Sequence, residues 1–201
     1  ILYGIYIGMT ILEIVLLLIG KMPLFDALTL SFGTAGTGGF GIRNDSVASY
    51  TVYHQVVITI FMILFGITLT HTFFILMGKA KQAFQIEEVK GYLLIIGAAI
   101  MVITANIWHL YENVAVAFQQ VAFQDASIIT TTRYATANFD LWPQVSRTIL
   151  VMLMFVGACA GSTGGGIKVS RFLILIKTVR KELLQFAHPK SVKKIKMDGK
   201  S

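Results

Sequence analysis

The chain has 201 residues, of which 55% are hydrophobic and only 13% charged, with a mean hydropathy of +0.73 and a formal net charge of +7. Water-soluble domains carry about 25% charged residues, and the apolar runs here are too long and unbroken for a soluble core; the composition excludes a soluble globular domain and places the chain in lipid. A lone cysteine, Cys159, within an apolar run, excludes an internal disulfide framework.

The chain begins inside an apolar run, residues 1–20, interrupted only by Glu13. It has no initiator Met, basic n-region or cleavage site, so it does not read as a signal peptide, and we expect a fragment of a longer protein. About 20 apolar residues cross the hydrocarbon core, which makes this run the first of four expected spans. The second covers 52–77 without any Asp, Glu, Lys or Arg, the third covers 91–111, and the fourth begins near Thr148. Two stretches, 24–32 and 113–124, are too short to cross. They are expected to enter the membrane and leave on the same side, which lipid tolerates only where irregular backbone is buried in protein or lines a wet cavity.

Each short stretch runs into a turn rich in threonine or glycine. The first reads Ser31-Phe32-Gly33-Thr34-Ala35-Gly36-Thr37-Gly38-Gly39-Phe40-Gly41, and the second, 94 residues later, Ile128-Ile129-Thr130-Thr131-Thr132-Arg133-Tyr134-Ala135-Thr136. Helix, half-length helix, turn and helix is how a membrane protein builds an ion filter. A dehydrated cation needs several oxygens at close range. Backbone carbonyls supply them where glycine lets the chain take conformations other residues resist, and threonine adds a hydroxyl. The short helices would direct the partial negative charge of their C-termini at the same place. The candidate filter residues are Gly36, Thr37, Gly38, Gly39, Phe40, Thr131, Thr132, Arg133 and Tyr134, with a cation at their carbonyls. One such loop alone would read as an ordinary tight turn; two in matching context do not.

The fourth span contains a third unusual element, Gly157-Ala158-Cys159-Ala160-Gly161-Ser162-Thr163-Gly164-Gly165-Gly166-Ile167-Lys168. Glycine costs about 1 kcal/mol relative to alanine inside a helix, so three in succession should break this one in mid-membrane. A polar loop at that depth must face water or protein. It is not a phosphate loop, because that motif needs Gly-Lys adjacent and followed by Ser or Thr, whereas Ile167 separates Gly166 from Lys168 and Val169 follows. Close helix packing through Gly157 and Gly161 is the alternative to a movable loop, and we favour the loop.

Thirteen of the 17 Lys and Arg residues lie on one side of these spans: Lys79, Lys81, Lys90 and the ten from Lys168 to Lys200. That side is expected to be cytoplasmic, so both turns open from outside and the basic tail lies inside, where it also meets anionic lipid. No aromatic residues interleave with the basic ones as a stacking platform, so no nucleic-acid partner is expected.

Residues 31–50 (SFGTAGTGGFGIRNDSVASY), 130–143 (TTTRYATANFDLWP) and 157–171 (GACAGSTGGGIKVSR), then His188-Pro189, resemble the TrkH-type pore subunits of the Trk/Ktr/HKT potassium transporter superfamily over nearly the whole chain. That family joins four helix, pore-loop, helix repeats around one central pore, and this chain resembles the second and third. The resemblance implies an all-α integral membrane fold with two repeats of a pseudo-fourfold, potassium-channel-like pore. One repeat would occupy 1–78 and the other 91–187, joined by a cytoplasmic linker at 79–90 and followed by a basic tail at 188–201. It implies potassium uptake across the plasma membrane, with potassium as substrate and no cofactor. It implies that Gly161, Ser162, Thr163, Gly164, Gly165, Gly166 and Lys168 form a gating loop beneath the filter. It further implies a homodimer of the full-length subunit on cytoplasmic nucleotide-binding regulatory subunits, which the basic face would meet. Preference for potassium over sodium comes from the resemblance alone.

Arg133 departs from the family, whose filter carries glycine there. A guanidinium is never neutral in a protein, so an Arg133 side chain on the ion path is expected to block or impair the pore. The alternative places it in the outer vestibule near Asp125 or Asp140. Glu13 is a functional candidate as an ionisable group within a span, with pairing to a polar neighbour as the plainer reading. His54, His71 and His109 read as packing residues, and Trp108 and Trp142 as interfacial anchors. A membrane enzyme is disfavoured, since no nucleophile and base fall on adjacent helical turns and no metal-ligand spacing is present. A non-conducting, assembly-only relative is the third reading, to which Arg133 lends weight.

Overall fold

A computed structural model describes residues 2–67 and 86–187. Within them run seven α-helices: α1 (Leu2–Ile19), α2 (Leu24–Ala35), α3 (Val52–Gly66), α4 (Glu87–Ile107), α5 (Val114–Ile129), α6 (Gln144–Phe155) and α7 (Val169–Ala187). Short 3-10 turns, Trp108–Leu110 and Phe139–Leu141, follow α4 and precede α6. No strand occurs among the described residues, only the isolated bridges Arg43 with Ser46 and Val156 with Ile167.

Hydrophobic periodicity explains how α1 sits. Met9, Glu13 and Leu17 share one face and are buried, while Tyr3, Ile7, Ile11, Val15 and Leu18 are exposed on the other. A helix apolar on its outward face as well as its inward one belongs in lipid. α2 and α6 both begin directly after a proline, Pro23 and Pro143, whose fixed φ and missing N–H suit a helix start. Among the described residues one continuous stretch, Glu87–Leu110, is long and apolar enough to cross a bilayer alone. The expected second span runs on into residues outside those described, as do Lys79, Lys81, His71, His188 and the tail beyond.

The core is divided in two. One cluster gathers α1, α2 and α3 around Leu17, Leu30, Ile58, Met62 and Phe65, and it also takes in Phe123, Ala126 and Tyr134 from the second half of the chain. The other gathers α4, α5 and α6 around Tyr92, Ile103, Ile129 and Leu150. The first short helix, α2, lies within the first cluster, whereas α5 contributes to both and packs on α3, joining the halves.

Three expectations are corrected. The short helices extend beyond 32 and 124 to Ala35 and Ile129, because their polar residues stay within helical bonding: the Thr34 hydroxyl donates to Leu30 O at 2.8 Å. The fourth span breaks at Phe155, well before the triple glycine. There Val156 turns extended, and Gly157 N–H bonds to Ile167 O at 2.8 Å, so the loop leaves and returns at one point. A Cβ on Gly166 would stand 2.9 Å from Gly157 Cα, so these two glycines serve a close backbone approach, and Gly157 and Gly161, the pair weighed for helix packing, both lie outside any helix. Trp142, expected at the interface, is only 3% exposed and its indole N–H donates to the Tyr111 hydroxyl at 3.2 Å.

Candidate functional site

The two turns repeat the same four backbone hydrogen bonds at a constant displacement of 94 residues. After α2, Gly36 N–H bonds to Phe32 O (2.9 Å), Thr37 to Thr34 O (3.1 Å), and Gly38 and Gly39 both to Gly33 O (2.8 and 3.5 Å). After α5, Thr130 N–H bonds to Ala126 O (3.1 Å), Thr131 to Ile128 O (3.0 Å), and Thr132 and Arg133 both to Ser127 O (2.9 and 3.2 Å). The two middle bonds of each set form a Schellman cap. Its left-handed residue is a threonine in both copies, Thr37 at φ 50° and Thr131 at φ 60°. A second left-handed residue follows two positions on, Gly39 at φ 65° and Arg133 at φ 69°. For L-residues that region costs about 1–2 kcal/mol each, and a β-branched residue there is unusual enough to suggest that its side chain is needed.

The turns interlock. A Cβ on Gly39 would run into the Thr132 carbonyl, so glycine is required for this approach. The Tyr134 hydroxyl fills the space where a Gly33 side chain would lie and donates to Leu30 O at 3.1 Å. The Ser127 hydroxyl holds Tyr134 O at 2.6 Å. Beyond the turns, Val47 N–H bonds to Ala135 O and Ala135 N–H to the Ser46 hydroxyl, both at 3.2 Å. Phe40, at the position matching Tyr134, is 76% exposed, whereas Tyr134 is fully buried.

Arg133 is exposed and makes no ion pair among the described residues. It borders a cavity of about 280 Å³ together with Gln124, Thr131 and Phe139. Asp125, one of the two neighbours in the alternative placement of Arg133, is fully buried, and neither of its carboxylate oxygens hydrogen-bonds within the described residues. Asp140 is exposed and does not pair with Arg133 either. Glu13 is likewise fully buried; neither oxygen completes a well-aligned hydrogen bond among the described residues, and the polar group beside it is the Thr34 side chain of the neighbouring α2. His54 is hydrogen-bonded through Nδ1 to the Thr51 hydroxyl at 2.7 Å, as a packing residue would be.

The glycine loop lies against the ends of both turns. The Thr37 hydroxyl reaches Thr163 O at 3.1 Å, and Gly165 N–H donates to Thr131 Oγ1 at 2.8 Å. Gly164 passes close enough that a Cβ there would stand 3.0 Å from Thr130 O. Gly161 and Gly166 take φ 77° and 76° at the loop's two ends. The Lys168 ammonium donates to Gly164 O and reaches Ser162 O and Oγ at 3.5 and 3.4 Å. Lys168 therefore bonds within the loop in which the resemblance places it, its ammonium directed at loop carbonyls although it also counts among the basic residues. Glu88 was missed by sequence reasoning. Its Oε1 accepts from Ala160 N–H at 2.6 Å and Ser170 N–H at 3.3 Å, pinning both flanks of the loop to α4. In sequence it is one of two acidic residues at a helix start, with no mark of that reach.

Between the start of α2 and the start of α3, Asp26 accepts from the Tyr50 hydroxyl at 2.7 Å and lies 3.8 Å from the Arg43 guanidinium, which stacks 4.3 Å over the Tyr50 ring. Burial, with the Asp26 carboxylate beside it, pushes the Tyr50 phenol up to about 12. Gln55 donates to three carbonyls of this segment, Val47, Ala48 and Tyr50, each at 3.2 Å, and accepts from Gln119 at 2.6 Å.

A helical membrane chain with two short helices aimed at paired threonine-glycine turns, and a glycine loop against those turns, defines the class: an all-α membrane transport protein. Residues 1–201 match the family model for TrkH, cation transport protein, and the chain belongs to that family. The Trk system potassium uptake protein TrkH of Salmonella typhimurium is 30% identical over 204 residues, covering 100% of this chain and 42% of that protein. TrkG of Escherichia coli K12, also a Trk system potassium uptake protein, is 31% identical over 182 residues, 89% of this chain and 38% of that one. The crystal structure of the potassium transporter TrkH from Vibrio parahaemolyticus matches with a TM-score of 0.93 at 31% identity, over 100% of this chain and 44% of that one. The chain spans less than half the length of these relatives.

Proposed function

We propose that this chain supplies two adjacent quarters of a four-part cation pore, and that the assembled pore takes potassium up across the plasma membrane. The observation that carries the reading is the duplicated turn, with four backbone hydrogen bonds repeated at one displacement and the two copies in contact. The contact has a direction: Tyr134 of the second turn seats on Gly33 and Leu30 of the first short helix. Continued around a ring, it leaves Phe40 to seat on a preceding quarter and Arg133 to face a following one. Gly36 to Phe40 and Thr131 to Tyr134 then form half of the filter, whose carbonyls hold potassium. Residues 161–168 form the gate at its inner end. The repeats occupy 1–78 and 91–187, and the basic linker and tail, 79–90 and 188–201, face the cytoplasm. The full pore pairs as a homodimer and rests on nucleotide-binding regulatory subunits, which that basic face meets.

Arg133 favours a second reading, a relative whose own filter does not conduct. Its guanidinium has no ion-pair partner among the described residues and stands at the position matching Gly39. Potassium-limited growth and rubidium uptake in uptake-deficient cells expressing the gene for this chain separate the two. Uptake by the Arg133→Gly form with little by the unaltered form supports a conducting architecture impaired at one residue. Absence of uptake by both, with the protein in the membrane, leaves the assembly-only reading.

A further inference from the structure

Both turns place a threonine where a Schellman cap takes glycine by default, and both threonines spend their hydroxyls on the same glycine loop. Thr131 Oγ1 accepts the Gly165 N–H at 2.8 Å. The Thr37 hydroxyl has one proton and two acceptors in reach, its neighbour Gly36 O at 2.8 Å and Thr163 O of the loop at 3.1 Å. Between these contacts Gly164 lies against Thr130 O. The flanks of the loop are held independently by Glu88, at Ala160 and Ser170, while Lys168 ties the Gly164 carbonyl within the loop itself. The loop is thus anchored at its base by Glu88, tied within itself at Gly164 by its own Lys168, and fastened at its apex to the two turns by two neutral hydroxyls from matching positions. The apex bonds are the weaker set, since hydrogen bonds to charged groups are the stronger kind.

We propose that Thr37 and Thr131 are positioning residues that latch the loop 163–165 shut, and that a cation at the inner end of the turns releases it by competing for the same oxygens. The cation linkage rests on the reading of the turns as a cation path; the latch does not. A threonine oxygen that accepts Gly165 N–H has that lone pair occupied, and the Thr130 carbonyl is covered by Gly164. A dehydrated alkali cation needs those oxygens turned towards itself, so cation occupancy and the latched loop exclude each other. A ligand that binds one of two states shifts the balance towards that state, and here the favoured state is the released loop.

Cys159 reports the outcome. It is fully buried at the start of the loop, and its carbonyl accepts from Ser162 N–H at 3.2 Å and the Ser162 hydroxyl at 2.6 Å. The rate of maleimide labelling at Cys159, read by peptide mass on the protein in lipid nanodiscs, is compared in choline and potassium buffers. Thr131→Gly removes the hydroxyl while suiting the left-handed backbone, so it is the variant least prone to misfold. Thr131→Ser keeps the oxygen. Without potassium, Thr131→Gly should label about tenfold faster than the unaltered protein and Thr131→Ser at its rate; Thr37→Gly should have a smaller effect, because its proton is shared. Potassium should raise the rate of the unaltered protein and leave Thr131→Gly unchanged. Faster exchange of the Gly165 amide in Thr131→Gly, with helix content retained, would show the same release by a second measurement. Thr131→Gly labelling at the unaltered rate in choline overturns the latch. A potassium-independent rate in the unaltered protein overturns the cation linkage. If equilibrium rubidium binding is absent as well, the cation-path reading has failed, and the latch is still judged by the choline measurements alone.

Discussion

The Tyr134 hydroxyl donates a hydrogen bond to the Leu30 carbonyl, 104 positions earlier, from the space a Gly33 side chain would need. This one contact fixes the second turn against the first short helix. Tyr134→Phe should lower stability by about 1 kcal/mol, the usual net worth of one hydrogen bond. Gly33→Ala should lower it by about 1–3 kcal/mol through overpacking. Because the new methyl meets the oxygen that Tyr134→Phe removes, the double variant should lose less than the sum of the two. Denaturant or thermal unfolding in detergent measures all three, and strict additivity would contradict the contact.

Arg133→Gly should raise rubidium uptake by two to three orders of magnitude. A guanidinium about 4 Å from a cation repels it by roughly 4 kcal/mol at an effective dielectric near 20, which is about a thousandfold in occupancy. Relief of the left-handed strain at φ 69° adds about 1 kcal/mol of stability. Arg133→Lys keeps the charge and should restore nothing. Equal uptake by the arginine and glycine forms would show that the side chain lies off the path.

Glu88→Ala should free the flanks of the glycine loop, with faster hydrogen exchange at the Ala160 and Ser170 amides, the two that Glu88 Oε1 holds. Bonds to a carboxylate are worth about 1.5–3 kcal/mol, so the increase should exceed tenfold. Glu88→Gln retains an oxygen acceptor without the charge and should fall between. Unchanged exchange at both amides in Glu88→Ala would rule out the pinning role.

The cluster of Asp26, Arg43 and Tyr50 should show pH dependence of one sign. The Tyr50 phenol is pushed up to about 12 when folded, against about 10 for an unperturbed tyrosine. Its contribution is therefore fully present below about pH 10 and lost as the pH rises from there towards 12. Tyr50→Phe should remove this part of the alkaline loss of stability and weaken the segment by about 1 kcal/mol through the lost bond to Asp26. Unfolding midpoints between pH 8 and 11.5 test this; identical slopes for the two proteins would count against it.

Hydropathy alone was enough to find the apolar helices and the two short ones, although among the described residues only Glu87–Leu110 is long and apolar enough to cross a bilayer alone. The ends of the short ones were misread by three to five residues, because Thr34, Asp125 and Ser127 look like turn residues yet remain buried in the helices. The duplicated turn was legible through its glycines and threonines, and Arg133 proves to share the left-handed backbone of the matching Gly39, at φ 69° and 65°. Polar pairing was not legible. Trp142 was assigned to the interface, and the alternative place for Arg133 was near Asp125 or Asp140, because a side chain's type shows what it can bond but not what lies within reach.

Composition, periodicity and the internal repeat decided that this is a helical membrane chain with two like turns and a broken helix, since these are properties of segments and each follows from local physics. The folded chain decided which oxygens the turns expose, why Gly39 must be glycine, where the helix breaks, and that Glu88, Thr37 and Thr131 hold the loop. Those depend on backbones separated by tens of residues approaching within hydrogen-bonding distance, and no local pattern encodes such an approach.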